Sequence, residues 1–429
     1  MDTYDIVGLG FGPSNIATAI AARELAPQLH CRFYDAQEAF SWHAGLMFPM
    51  AEMQVPFLKD LVTTRNPSSD FTFLRYLEAR GRLHEFINLR TFYPTRVEFN
   101  DYYQWVASQF ADEAHYGQRV THVKFADRSQ EVLDVELVST SSGSTSHIQT
   151  RNLVVAAGGV PYLPAGIAPS AHVIHASNTL PTLGASFSDL SAPYRFCVVG
   201  AGQTTADLFT YLSTAYPNAT IDVSLRGFAM LPEDDTHFVN ELFAPETVDW
   251  FQTAPDHLRK EVLHRHANAA HSGASYDLIP RIYRAQYESR VAGQAQYRFH
   301  RFRDVVRVEE AAHEAEVVFR SRENGAEIRE THDLVIFATG YRYPGTLPEL
   351  GGVESSLERR AGRYLVGRNY RVRSSAAAGI YLQGYAEASH GFSEVLLSLM
   401  PQRAADIVAS VLQRNGATSA AGAHERNHA

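Results

Sequence analysis

Two short glycine turns, each set between an apolar run and a helix-forming segment, constrain this chain more than any other feature. Residues 4–7 are mostly apolar, and Gly8, Gly10, Gly12 and Pro13 follow at once; Ser14 and Asn15 then open a segment whose apolar positions, Ile16, Ala19, Ile20 and Leu25, carry helical spacing. Residues 196–199 lead in the same way into Gly200, Gly202, Gln203 and Thr204, and Leu208, Tyr211 and Leu212 continue a helix. Strand, glycine turn, helix is the context in which small residues let the backbone approach a pyrophosphate. The helix N-terminus supplies free N–H groups and a positive dipole end. Two such turns in one chain predict an α/β protein with two Rossmann-like dinucleotide-binding domains.

The residues after each turn separate the two nucleotides. The apolar run at 29–34 ends in Asp35, and an acid at that strand tip accepts hydrogen bonds from ribose hydroxyls. With Gly8, Gly10, Gly12, Pro13, Asn15 and Asp35 as its contacts, the first turn is assigned to FAD. The run at 221–225 ends instead in Arg226. A guanidinium there suits the extra phosphate of NADPH, which a carboxylate would repel; a solvated strand-end charge is the other reading. Gly200, Gly202, Gln203, Thr204 and Arg226 are therefore assigned to NADPH.

Two further apolar runs enter glycine turns, 152–159 and 334–341, the second through Thr339, Gly340 and Tyr341. They read as crossings between an outer FAD domain, residues 1–165 and 345–414, and an inserted NADPH domain, residues 190–344. A mainly helical region at 230–300 would cover the substrate, and 415–429 reads as a disordered tail. Two dinucleotides in one chain mean hydride transfer between them, which is an enzyme's architecture.

Composition removes several classes. The 429 residues carry a formal net charge of -9, which disfavours nucleic acid as a partner. Cys31 and Cys197 are the only cysteines and sit in separate apolar runs, so they read as buried thiols of a cytoplasmic protein. They also lack the close spacing that a disulfide reductase needs. No secretory signal or membrane span is legible, since apolar stretches fall short of ~20 residues. The 19 histidines are scattered, and His264 and His266 lack further ligands at usable spacing, so no metal is expected.

A longer pattern identifies a family. Trp42-His43, the block Met53-Gln54-Val55-Pro56-Phe57-Leu58-Lys59-Asp60-Leu61-Val62, Phe92-Tyr93-Pro94-Thr95-Arg96, Phe238-Val239-Asn240-Glu241-Leu242-Phe243, and Ser389-His390-Gly391-Phe392-Ser393 with Leu396-Leu397-Ser398 resemble the N-hydroxylating flavoprotein monooxygenases of siderophore biosynthesis. These are the ornithine and lysine N-hydroxylases and their diamine relatives, and the likeness covers nearly the whole chain. The resemblance implies hydroxylation of a terminal primary amine with O2 through a C4a-hydroperoxyflavin, with L-ornithine or a close relative as substrate, and a homo-oligomer, commonly a tetramer. It places Trp42, His43 and Gln54 along the flavin, Gln54 near the reacting edge; for Trp42 and His43, packing beside a cofactor loop is the alternative. It assigns Lys59 to a substrate carboxylate, Asn240 to the substrate, and Ser398 to the reacting amine or nicotinamide ribose; a surface lysine is the plainer reading of Lys59. It gives Arg96 no catalytic part.

Two positions depart from the family pattern. Ala270 stands where ornithine enzymes have a second substrate-binding asparagine, leaving Asn268 and His271 to compensate, or implying a diamine such as putrescine or cadaverine. Thr205 replaces a smaller residue in the second turn and should tighten its packing slightly. Sulfide- and ketone-oxygenating flavoenzymes are disfavoured, because residues 158–195 contain no tryptophan. A non-catalytic FAD- and NADPH-binding protein remains the other alternative.

Overall fold

The computed structural model describes residues 3–425, with side chains described through 414. Two five-stranded parallel sheets organise it. The first runs in the order Gly379–Leu382, Asn152–Val155, Ile6–Leu9, Cys31–Tyr34, Ala114–His115. The second runs Val173–His175, Leu334–Phe337, Arg195–Val199, Thr220–Ser224, Tyr297–His300. Each sheet carries its own antiparallel meander of three strands, and Thr3–Tyr4 extends the first meander by pairing parallel with its last strand. One is Gln118–Phe125, Leu133–Ser139 and Thr145–Thr150; the other is Arg303–Glu310, Ala315–Ser321 and Glu327–His332.

The inner strands are apolar on both faces, as parallel strands covered on both sides must be. Ile6 and Val7 with Leu153 and Val154 build one core; Phe196 and Val198 with Ile221 and Ile336 build another. Cys31 and Cys197 are both buried and free, and burial pushes the Cys31 thiol up to about 12.

The two halves repeat one local geometry. Gly10 has φ +82°, and a Cβ there would lie 2.6 Å from the carbonyl oxygen of Ala156, just past the neighbouring strand. Gly200 has φ +152°, and its Cβ would lie 2.5 Å from the carbonyl oxygen of Ala338, the equivalent place in the second half. Close approach to the adjacent strand and an unusual φ thus both require glycine.

The two crossings lie side by side: Val160–Pro161 pairs antiparallel with Tyr341–Arg342, and Tyr162 donates its N–H to the Gly340 carbonyl at 2.9 Å. The second sheet begins earlier than the expected boundary at 190, because Val173–His175 forms its edge beside Leu334–Phe337. Three residues with only two aliphatic side chains give too short an apolar run to stand out. At the other end, helix Met400–Glu425 continues into the segment expected to be a tail. Alanine recurs through that stretch and has the highest helix propensity. Residues 426–429 lie outside the described part. No helix among the described residues is long and apolar enough to cross a membrane.

Between Thr220–Ser224 and Tyr297–His300 lies the mainly helical segment: Val239–Phe243, Pro245–Thr253, Asp256–Arg265 and Leu278–Val291. A two-stranded pairing of Leu231–Pro232 with Gly273–Ala274 closes its base.

Candidate active site

Both glycine turns present an uncapped helix N-terminus. Helix Pro13–Leu25 has Gly12 as N-cap and Pro13 in its first turn; helix Gln203–Ala215 has Gly202 as N-cap; neither receives a side-chain cap. Nothing lies within 4 Å of a Cβ built at Gly12. At Gly202 the backbone of Ser272 and His271 comes to 3.7–3.8 Å of such a Cβ. An uncapped helix N-terminus behind a glycine turn is what a pyrophosphate requires, so the residues fit a dinucleotide at each turn, with open space before the first.

Asp35 stands at the strand tip beside the first turn. Its carboxylate accepts the N–H of Phe11 and the N–H of Gln37, each at 2.8 Å, which braces the turn toward the strand end. The Asn15 side chain, expected at the cofactor, instead turns back beneath the glycines. Fully buried, it donates to the carbonyls of Gly10 at 2.7 Å and of Leu9 and Val154 at 3.3 Å, and accepts from Gln383 at 3.0 Å. An amide one turn into a helix can point outward or back under the glycines; here the carbonyls under the turn claim it.

In the second turn, Gln203 donates to Asp207 at 2.9 Å and accepts the N–H of Ser275 at 2.6 Å, so its side chain ties the turn to the helical segment. Thr204 is partly exposed beside it. Thr205 is fully buried and packs under Gly200, but its hydroxyl finds no partner among the described residues. Arg226 is exposed beyond Thr220–Ser224. Its carbonyl accepts from Arg322 at 3.0 Å, and Arg301 lies over the ring of Phe228, 4.4 Å from its centroid. The strand end is therefore a basic cluster.

Aromatic side chains gather where the crossings meet. His43 lies between Trp42 and Tyr341, with its Nδ1 3.2 Å from the Tyr341 hydroxyl. Trp42 sets its edge against Tyr103, with centroids 5.1 Å apart. His175 packs on Tyr341 and bonds the Gly340 carbonyl at 3.0 Å. The Thr339 hydroxyl donates to the Tyr162 carbonyl, locking the second crossing to the first. Desolvation by the surrounding protein, then the charge of Arg96, pushes His43 down to about 4, so the imidazole is neutral at pH 7.

Gln54, Lys59 and Asn240 converge on the segment after Leu231–Pro232. Gln54 donates its amide to Glu233 Oε2 at 2.6 Å. Lys59, half-buried, sets its ammonium 5.3 Å from the ring centroid of Phe243. Asn240 donates to the carbonyl of Asp235 at 2.7 Å, and Asn268 reaches the carbonyl of Pro232 at 3.5 Å. Burial pushes Glu233 up to about 7, and burial likewise lowers Lys59. His271 is turned elsewhere: it pairs with Glu387 and packs edge-on to Phe392, and none of its contacts is with Gln54, Lys59 or Asn240. The carboxylate captures the imidazole, leaving no polar replacement from this residue for the amide missing at Ala270. Ser398 is buried just ahead of the helix Met400–Glu425.

Sequence reasoning overlooked Glu233, although three consecutive acids, Glu233, Asp234 and Asp235, inside a substrate-covering segment were a visible signal. It also overlooked a buried network under the first turn. Arg403 bonds Glu394 at 3.1 Å, Gln383 at 3.1 Å and Ser14 at 3.0 Å, while Glu394 accepts the N–H of Gly384 at 2.6 Å. Nothing in an alanine-rich helix marks one arginine as internal.

Two dinucleotide folds joined by paired crossings, with Gln54 and Lys59 of the first half meeting Glu233 and Phe243 of the helical insert, define an enzyme of the two-nucleotide flavoprotein class. The model of the L-lysine 6-monooxygenase/L-ornithine 5-monooxygenase family matches residues 2–343, and the chain belongs to that family. It is 36% identical to an L-ornithine N(5)-monooxygenase of Pseudomonas aeruginosa over 98% of this chain and 97% of the relative. An ornithine N-hydroxylase of Kutzneria sp. 744, solved with reduced FAD, NADP+ and L-ornithine, superposes with TM-score 0.92 at 33% identity, covering 96% of this chain and 100% of the other. A cadaverine monooxygenase from Erwinia amylovora, solved with FAD, superposes with TM-score 0.86 at 25% identity, covering 96% and 95%.

Proposed function

We propose that this protein uses FAD and NADPH to hydroxylate the terminal primary amine of L-ornithine or a close relative, supplying a hydroxamate-type siderophore route. The observation that carries the reading is the meeting of Gln54 and Lys59, from the flavin half, with Glu233 and Asn240 of the helical insert. The flavin, when bound, supplies the oxygen activation and the redox step.

The chain's own residues have four tasks. The uncapped turns at Gly12 and Gly202 hold the two pyrophosphates, and Asp35 and Arg226 select the ribose and its phosphate. The aromatic cluster of Trp42, His43 and Tyr341 walls the cofactor against water, and a neutral His43 adds no charge there. Lys59 takes the substrate carboxylate, with Asn240 beside it. The cleft desolvates the terminal ammonium, whose solution pKa is ~10, and so favours the neutral amine that can act as a nucleophile.

Ala270 favours a second reading, a diamine, because a diamine has no carboxylate or α-ammonium for an amide to hold. Hydroxylamine formation by the purified, FAD-loaded protein with NADPH decides between them across L-ornithine, L-lysine, putrescine and cadaverine. Ornithine should give the highest coupled yield. NADPH consumption matched by peroxide, with no hydroxylamine from any amine, would sink both readings.

A further inference from the structure

Lys59 and Glu233 are opposite charges that lie near each other without closing into a pair. No ion pair of 4.0 Å or less joins them among the described residues, although each shifts the other's proton affinity. The Lys59 ammonium has the Phe243 ring beneath it and no hydrogen-bond acceptor among the described residues. Glu233 has one oxygen engaged, by the Gln54 amide at 2.6 Å, and no donor reaches its Oε1. Two half-desolvated, unpaired charges are costly alone, and a ligand bearing the complementary pair offsets that cost.

Glu233 is also rigidly placed. Its N–H bonds the Ala274 carbonyl at 2.8 Å, and a Cβ at Gly273 would fall 2.4 Å from the Glu233 Cα. The next residue's N–H, from Asp234, meets the Asn268 carbonyl at 3.4 Å. This carboxylate therefore lies alongside the 268–274 segment that contains Ala270.

We infer that Lys59 and Glu233 form a two-sided clamp for the zwitterionic head of an α-amino acid, Glu233 taking the α-ammonium while Lys59 takes the α-carboxylate. The two charged groups of such a head sit on one carbon, so they can bridge side chains held a few ångströms apart. Gln54 is the positioning residue: it occupies Oε2 and leaves Oε1 for the substrate. A diamine satisfies Glu233 but presents a second cation toward Lys59, so the clamp selects against it. The ammonium contact that position 270 does not make is supplied from the adjoining strand. This inference rests on the N-hydroxylation reading and names the residue that determines its substrate.

The test uses the FAD-loaded protein, with hydroxylamine formation measured on L-ornithine, Nα-acetyl-L-ornithine and putrescine. The wild type should prefer ornithine over both by about tenfold or more in kcat/KM, the scale of a charge-assisted hydrogen bond. Glu233→Gln, which keeps the shape, should raise the ornithine KM by about tenfold and bring the ornithine to Nα-acetylornithine ratio close to one. Glu233→Asp should recover part of that ratio, which a fold defect would not allow. An unchanged ratio in Glu233→Gln overturns the clamp, as does an equal fall in kcat on both substrates, which would mark a proton-accepting carboxylate instead. A wild type that prefers putrescine overturns it too. A wild type that forms no hydroxylamine from any of the three, while oxidising NADPH, overturns the N-hydroxylation reading itself.

Discussion

Arg96 reaches across the molecule to Asp207, with its guanidinium nitrogen 2.7 Å from the carboxylate. Arg96 opens the helix Arg96–Ser108 of the first half, and Asp207 lies one turn into Gln203–Ala215, the helix of the second glycine turn. The Asp207 side chain is 3% exposed and that of Arg96 14%, so the pair is shielded from solvent. Gln203 shares the same carboxylate. One ion pair thus fixes the NADPH turn relative to the flavin half.

Removing one partner of such a pair leaves an uncompensated buried charge, which typically costs about 3–5 kcal/mol. Arg96→Ala should therefore lower the apparent Tm by roughly 5 °C or more. The KM for NADPH should rise with it, because the turn loses its tether. Adding Asp207→Asn should recover much of the Tm, since the stranded charge is gone. A Tm within 1 °C of wild type for Arg96→Ala, measured by differential scanning calorimetry, would show the pair to be energetically idle.

Glu233 brings a pH dependence whose sign can be worked out. Burial raises its pKa from 4.5 to about 7, with Asp235 adding to the rise and Lys59 and the Gln54 amide opposing it; Tyr93 is the other titratable group that faces it. The folded protein therefore binds a proton more tightly than the unfolded chain does. Its contribution to stability is present below 4.5 and is lost as pH rises through about 7. The substrate contact runs the other way, since only the carboxylate attracts an ammonium. The ornithine KM should fall as pH rises from 6 to 8, and Glu233→Gln should flatten that change. A KM profile identical in both proteins would remove Glu233 from substrate binding.

The two glycine turns were legible because glycine's role there is local: a φ and a close neighbour strand are written into four or five adjacent residues. The places of Asp35 and Arg226, each at the end of the next strand, were legible for the same reason. Glu233 was not legible, because its meaning comes from Gln54, a partner 179 positions away. Asn15 was legible as important but not in direction, since local spacing says nothing about which face of the first helical turn the carbonyls of Gly10 and Val154 will occupy. His271 failed for a similar reason: Glu387, which captures it, lies 116 positions downstream.

Arg226 should decide the nicotinamide cofactor. The side chains of Arg226 and Arg301 enter no ion pair among the described residues, whereas Arg322 at the same strand end is paired with Asp304 at 3.4 Å, so an added phosphate meets two unpaired guanidiniums. Arg226→Ala should raise the NADPH KM by about tenfold, the scale of one charged hydrogen bond, while the NADH value moves far less. Steady-state flavin reduction with each cofactor reads this directly. An unchanged NADPH/NADH ratio would return Arg226 to the role of a solvated strand-end charge.

The network under the first turn leads to a prediction about flavin retention. Arg403 is 3% exposed in its side chain and Glu394 is 0% exposed, 3.1 Å apart, so each charge depends on the other. Glu394 also accepts the N–H of Gly384 and of Tyr385, and Arg403 holds Ser14 in the first turn of helix Pro13–Leu25. Arg403→Met keeps much of the volume but strands the Glu394 carboxylate, at a cost of about 3–5 kcal/mol. Arg403→Met with Glu394→Gln removes both charges and should be far less destabilised, because apolar and neutral replacements of a buried pair are often tolerated. FAD retention, read from the ratio of flavin to protein absorbance after gel filtration, should drop in the single variant and recover in the double. If the single variant keeps full flavin and an unchanged Tm, the network does not support the first turn. If both variants lose flavin equally while remaining folded, the bond from Arg403 to Ser14, and not the charge pair, is what holds the turn in shape.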